Sequence, residues 1–192
     1  MNTLLQGEPN PMAGAGEWPQ KRRLKEAMTQ GLVFDTSEGY LGLGLDDAHR
    51  LTEIVMPRPT PEEAADALGV LRLQPAPEPH PAGELIDQLR RYFSGEPVTF
   101  RWPFNLSHLS PFHQEALNMC ASIPYGELRS YGWIADRMDR PKSARPVGGA
   151  MAANPIPILI PCHRVVGSNG KLVGYGGGMH WKERLLKLEG VL

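Results

Sequence analysis

The sequence predicts an α+β chain: a small N-terminal α+β domain followed by a mostly helical C-terminal domain with a (winged) helix-turn-helix. Three observations predict it. Apolar runs bounded by turn residues come early, over 32–56, and read as strands. Helix caps followed by apolar residues at helical spacing recur in the second half. Charge divides along the same line. Residues 1–105 carry 10 Lys/Arg against 15 Asp/Glu, and residues 106–192 carry 10 against 6. The expected division is a flexible tail over 1–20, an N-terminal domain over 21–105 and a C-terminal domain over 106–192. A basic second half fits a polyanionic partner, although ordinary scatter of surface charge gives an excess of that size too.

Composition narrows the class. At 41% hydrophobic residues the chain is globular in character. No apolar stretch approaches the roughly 20 residues that span a bilayer, and no secretory signal is legible. Cys120 and Cys162 are too few for a disulfide framework or a Cys-rich zinc site. A single disulfide stays open, with a reducing, cytoplasmic setting favoured.

In the first half, Leu32-Val33-Phe34 and Tyr40 to Leu45 read as strands around the turn Asp35 to Gly39, and Leu51 to Met56 as a third. Thr60-Pro61-Glu62-Glu63 starts a helix, with a hydroxyl N-cap, Pro at N1 and Glu at N3, running to about Leu71. Pro-dense 74–81 reads as a loop. Leu85, Ile86, Leu89 and Phe93 mark a helix over 84–93, and Val98 to Phe100 a return to the sheet. Lys21-Arg22-Arg23 with Lys25 reads as a solvated helix face. This half holds no chemical constellation. It reads as a support.

In the second half, Ser110, Ser130 and Ser143 each cap a predicted helix. Phe112, Ala116, Cys120 and Ile123 share one stripe, which makes Cys120 a core residue. The second and third helices read as a helix-turn-helix. The would-be recognition helix exposes Ala144, Gly148 and Gly149 around one long side chain, Arg145. A major-groove reader wants several polar side chains at base edges. Small residues suit a shallow groove, with a single Arg free to occupy a gap in the base stack. The plainer reading is that the glycines permit tight helix packing. Pro146 falls in the first turn, where its missing N–H costs little.

Asn154-Pro155 breaks that helix, and the apolar run Ile158-Leu159-Ile160-Pro161-Cys162-His163-Arg164-Val165 follows. It closes on a thiol and an imidazole. Successive residues of a strand face opposite ways, so either the backbone turns here or a water bridges the two groups. Taken alone, the pair favours a buried structural cysteine. Arg164 to Val166 and Leu172-Val173 read as a hairpin about Gly167 to Gly170. Tyr175 to Gly178 reads as a flexible loop; with no Lys-Ser/Thr after it, it is not a P-loop. A last helix, Met179 to Leu188, ends at Glu189-Gly190. An acid is unfavourable at a helix C-terminus, which hints that Glu189 has a task.

Together these residues carry a resemblance. Arg145-Pro146-Val147-Gly148-Gly149-Ala150-Met151, Asn154-Pro155, Pro161-Cys162-His163-Arg164-Val165, Gly174 to Gly178, Lys182-Glu183 and Glu189-Gly190 follow in order. Over roughly 110–190 the chain resembles the O6-alkylguanine-DNA alkyltransferases, or methylated-DNA–protein-cysteine methyltransferases. The first half matches that family only in plan, there a small ribonuclease-H-like domain. The resemblance implies a cytoplasmic, monomeric DNA repair protein that needs no cofactor and no metal. It would flip an O6-alkylguanine out of double-stranded DNA and move the alkyl group irreversibly onto its own cysteine. O4-alkylthymine stays open as a second substrate.

By match of motif, Cys162 is the acceptor and His163 its base through a water. Glu189 orients His163, Asn154 braces the turn that holds the site, and Tyr131 donates to the leaving guanine. Arg145 fills the space of the flipped base, with Ser143, Ala144 and Gly148 at the DNA. Met151, Pro157, Val165, Tyr175 and Gly176 would form the pocket. The chain departs from the family pattern at Leu109-Ser110, where Gly-Thr is frequent, and at Pro146, where a small non-Pro residue is common. Lacking any Cys before Cys120, it has no counterpart of the zinc-binding relatives' cysteines.

Three other readings compete. A non-catalytic lesion binder would have no use for a thiol at 162. A helix-turn-helix transcription factor would want polar side chains where Ala144, Gly148 and Gly149 stand. A cysteine hydrolase would turn over repeatedly.

Overall fold

Strand β2 (Gln30–Thr36) and strand β3 (Gly39–Leu45) form the hairpin from which the first unit grows. Two residues, Ser37 and Glu38, make its turn. Thr36 Oγ1 donates to the Gly39 carbonyl at 2.7 Å and accepts from Glu38 N at 3.2 Å, while Gly39 takes a φ of 116°. Strand β4 (Leu51–Arg58) pairs outside β3, and β1 (Leu4–Gly7) outside β2. The short β5 (Gln74–Pro75) completes an antiparallel sheet in the order β4-β3-β2-β1-β5. Leu32, Val33 and Phe34 are all buried although neighbours in a strand face opposite ways, so both faces of the sheet are covered. Helix α1 (Pro61–Leu68) packs Ala64, Ala65 and Leu68 around Val33. On the other face lies α2 (Gly83–Phe93), whose Arg90 sits over the Phe34 ring.

This computed structural model describes residues 4–8, 28–76 and 78–192, and the chain separates into two compact units, Met1–His108 and Leu109–Leu192. The architecture is α+β. Several expectations are corrected. Residues 4–7, expected within a flexible tail, are a strand, because β2 offers them a complete ladder. The rest of that stretch and the Lys21 to Lys25 cluster lie outside the described residues. Helix α1 stops at Leu68, not Leu71, because Gly69 turns left-handed (φ 81°) and Val70 N donates back to Ala65 O. Gln74-Pro75 pairs with β1 instead of looping. Val98 to Phe100 forms no strand; Leu51 bridges Phe104 instead.

The second unit is built from capped helices. In α3 (Pro111–Ala121) the Ser110 hydroxyl accepts from His113 N, and in α4 (Tyr131–Arg137) Ser130 accepts from Trp133 N. Helix α5 (Ala144–Ala152) follows after a turn. Its N-cap, Ser143, makes no cap bond to the helix, because its hydroxyl donates backward to Arg140 O at 2.6 Å. Helix α6 (Met179–Leu188) closes the chain. The expected hairpin after Cys162 does not form. Its turn does, with Gly167 N bonded to Lys171 O. But β7 (Val165–Val166) pairs in parallel with β6 (Arg129–Ser130), which lies just before α4. Among the described residues no helix is long and apolar enough to cross a membrane.

Candidate active site

Chain from Ile156 to Val166 is buried, and from Ile156 to Pro161 it forms no regular structure. Pro155, Pro157 and Pro161 supply no N–H, so a strand ladder was never available. Two γ-turns take its place. Leu159 N donates to Pro157 O at 3.0 Å about Ile158, whose φ is 76°. Cys162 N donates to Ile160 O at 2.8 Å about Pro161, at φ −81° and ψ 61°. The second is the common inverse form; the first is strained, more so for a β-branched residue. Cys162–Arg164 then winds into one 310 turn. The backbone therefore turns at the thiol.

Asn154 holds this strained segment from inside. Its Oδ1 accepts from Ile156 N at 3.0 Å. The two hydrogens of its Nδ2 serve Ile160 O at 2.8 Å and Cys162 Sγ at 3.0 Å. Cys162 is 6% exposed. Burial raises its thiol pKa; the Asn154 amide, the Tyr175 hydroxyl and the Lys182 charge act the other way.

Next to it the chain buries a charged cluster. His163 Nε2 meets Glu189 Oε1 at 2.8 Å. An ionised carboxylate only accepts, so Nε2 carries the hydrogen and Nδ1 is the basic nitrogen. Burial lowers the His163 pKa, keeping the ring neutral despite Glu189. Burial alone would raise the Glu189 carboxyl; bonds from His163 and Arg164 overcome this and hold it at about 2. Arg164 grips both carboxylate oxygens at 2.9 Å and donates to Ile123 O at 2.6 Å, while Gly126 N adds a bond at 3.2 Å. Glu189 thus sits at the end of α6 for its partners and against the helix dipole.

A cavity of about 370 Å³ opens onto the thiol. Tyr131, Gly148, Met151, Ala152, Gly174, Tyr175 and Gly176 line it with Cys162. Gly176 sits tightly there: a Cβ would stand 3.1 Å from Ala152 O. Gly148 and Gly149 are different. A Cβ on Gly148 would make only ordinary contact with Tyr131, and one on Gly149 would meet nothing within 4 Å. Tight packing inside this chain does not require them, which leaves a bare face beside exposed Arg145.

The structure brings together Cys162, Tyr131, Met151, Tyr175, Gly176 and Gly148 around one cavity, with Asn154 bonded to the thiol and His163, the next residue in the chain, paired with Glu189. Ser143, Ala144 and Arg145 stand at the N-terminal end of α5, away from the lining. Pro157 and Val165, expected in the pocket, are buried outside it, and the Val165 carbonyl is taken by Lys182 Nζ at 2.6 Å. Sequence reasoning missed Arg164 and Lys182, both buried. The signal was there: Arg164 interrupts an apolar run, and Lys182 shares the stripe of Leu185, Leu186 and Glu189. Among the described residues no group of three or more His, Cys, Asp or Glu could hold a metal.

A buried thiol, followed in the chain by a histidine paired with a carboxylate, opens onto a small cavity lined from two short helices, α4 and α5. Residues 111–191 match the family model described as 6-O-methylguanine DNA methyltransferase, DNA binding domain. The methylated-DNA–protein-cysteine methyltransferase of Mycobacterium tuberculosis is 48% identical over 113 residues, covering 59% of this chain and 68% of that protein. Its namesake from Shigella flexneri is 43% identical over 110 residues, or 57% and 64%. The crystal structure of M. tuberculosis O6-methylguanine methyltransferase superposes with a TM-score of 0.64 at 40% identity, over 82% of this chain and 90% of that one. That of M. tuberculosis OGT in complex with DNA gives 0.64 at 38%, with the same coverage. The chain belongs to the methylated-DNA–protein-cysteine methyltransferase family.

Proposed function

We propose that this protein repairs DNA by direct reversal, taking the alkyl group of an O6-alkylguanine onto Cys162 once and permanently. The observation that carries the reading is the thiol at the cavity wall, followed in the chain by a histidine that is paired with Glu189. Ordinary thiols are only a few per cent ionised at neutral pH, and burial makes this one harder to ionise. A base is therefore required. His163 Nδ1 takes the thiol proton through a water, and Glu189 stabilises the imidazolium, in the logic of hydrolase triads. The sulfur attacks the alkyl carbon, an S–C bond forms, and the C–O6 bond breaks with its electron pair moving onto guanine. Tyr131 supplies the hydrogen bond or proton that guanine needs as that charge builds. The overall balance is one S–H lost and one guanine N–H gained. A thioether is a poor leaving group, so turnover stops at one.

The base reaches the cavity only by leaving the stack, at a cost of a few kcal/mol. In this reading α4 and α5 act as a helix-turn-helix, winged by the segment after β7, with Arg145 filling the vacated space. The first unit is the ribonuclease-H-like support. The free thiols of Cys120 and Cys162 suit the cytoplasm, and the protein works as a monomer. The test is a single-turnover reaction with a duplex carrying one O6-methylguanine, followed by mass spectrometry of the Cys162 peptide. One added methyl, stopping at one per protein, is expected. An unmodified peptide from folded protein that still binds the lesion would point to a non-catalytic binder.

A further inference from the structure

We propose that Tyr175 is a catalytic residue whose hydroxyl donates a hydrogen bond to the Cys162 sulfur as the thiolate forms. This rests on the alkyl-transfer reading above and deepens it.

The Tyr175 hydroxyl is buried and makes no hydrogen bond of ordinary geometry, a costly state for a phenol unless a partner arrives during function. Its side chain lines the same cavity as Cys162. It lies near enough to Sγ that a bond to the sulfur would favour the thiolate. Burial holds the phenol well above its usual pKa, so it acts as a donor and not as a base. Its position is enforced from three sides. Gly178 N closes a turn on Tyr175 O at 3.0 Å, and Gly176 lies against Ala152 O. Buried Lys182 Nζ bonds Val173 O at 3.0 Å and Val165 O at 2.6 Å, tying the Tyr175 loop to the chain just after Cys162. With Asn154 Nδ2 at 3.0 Å, the sulfur would then have two donors from separate segments, as an oxyanion hole has for oxygen. The Tyr175 proton stays on Tyr175. The thiol proton leaves by His163.

A donor that lowers a thiol pKa also makes the thiolate less nucleophilic, with a Brønsted coefficient of about 0.4–0.5. So a rise of one pKa unit slows reaction at neutral pH about three- to fourfold, not tenfold. In Tyr175→Phe the pH midpoint of Cys162 alkylation by iodoacetamide should rise by about one unit, and methyl transfer from duplex at pH 7 should fall about three- to fourfold. Above both midpoints the variant should match or exceed the parent, which a damaged pocket wall would not allow. An unmoved midpoint, or a deficit that persists at every pH, overturns the proposal. A second readout needs no variant at 175. In protein labelled at tyrosine Cζ, one signal that survives in Tyr131→Phe should shift with the Cys162 midpoint; if none does, the proposal fails. A moved midpoint in a protein that transfers no methyl from duplex at any pH would sink the repair reading and leave the Tyr175 assignment standing.

Discussion

The two units bury different things. In the first, the core is almost wholly aliphatic and aromatic, and among the described residues its buried polar ones are Asp46, Thr52 and His80. In the second, His163, Arg164, Lys182 and Glu189 are all buried within a fold of 84 residues. Buried charge is a poor source of stability, because desolvation offsets most of the attraction. Among its described residues the first unit buries one carboxylate, Asp46, whose partner Arg50 stays exposed to water. The cluster in the second is therefore best explained by chemistry. It keeps the imidazole that follows the thiol in the chain neutral and its carboxylate partner ionised.

The sharpest way to break that comparison is Cys162→Ser. It should abolish alkyl transfer, read by the mass of the 162 peptide, while duplex binding persists. Loss of binding as well would make Cys162 part of the scaffold, like the core of the first unit. Next comes Glu189→Gln, which strands the buried Arg164 charge. Loss of about 3–5 kcal/mol is expected, measured by denaturant unfolding, together with a large loss of transfer. In acid the sign is fixed. The folded carboxyl sits at about 2, below its ordinary 4.5, so its contribution is full above pH 4.5 and disappears as pH falls toward 2. Glu189→Gln should flatten stability across that window.

Arg145→Ala is the intermediate case. The side chain is exposed, so stability should stay within about 0.5 kcal/mol. Transfer from duplex should fall far more than attack on free O6-benzylguanine, and equal losses would remove its base-replacing role. The smallest effect belongs to the first unit. Thr60→Ala removes the bond from Glu63 N to the cap hydroxyl at 3.2 Å and should cost about 1 kcal/mol, with the Cys162 alkylation profile unchanged. A shifted profile would mean that the support tunes the site.

Local chemistry wrote much of this molecule into the sequence. Thr60-Pro61, Ser110-Pro111 and Ser130 start helices because a cap hydroxyl, or a proline at N1, acts within one turn of its own position. The strands over 32–56 follow from apolar runs cut by turn residues. The order of motifs from Arg145 to Gly190 carried the family, and the misplaced charge of Glu189 pointed to a role.

What the sequence left undecided were pairings between distant segments. Val165-Val166 meets Arg129-Ser130 rather than Leu172-Val173, and Leu4–Gly7 joins a sheet that the Pro- and Gly-rich stretch after it disguises. The packing of Arg164 and Lys182 is likewise a tertiary matter. A long basic side chain normally keeps its charge in water, and only a carboxylate or free carbonyls brought from 9 to 41 positions away allow these two to go inside. Whether the chain turns or a water bridges at Cys162-His163 also had to come from the structure. The turn depends on Asn154 bonding Ile156 N and Ile160 O on either side of the strained γ-turn at Ile158.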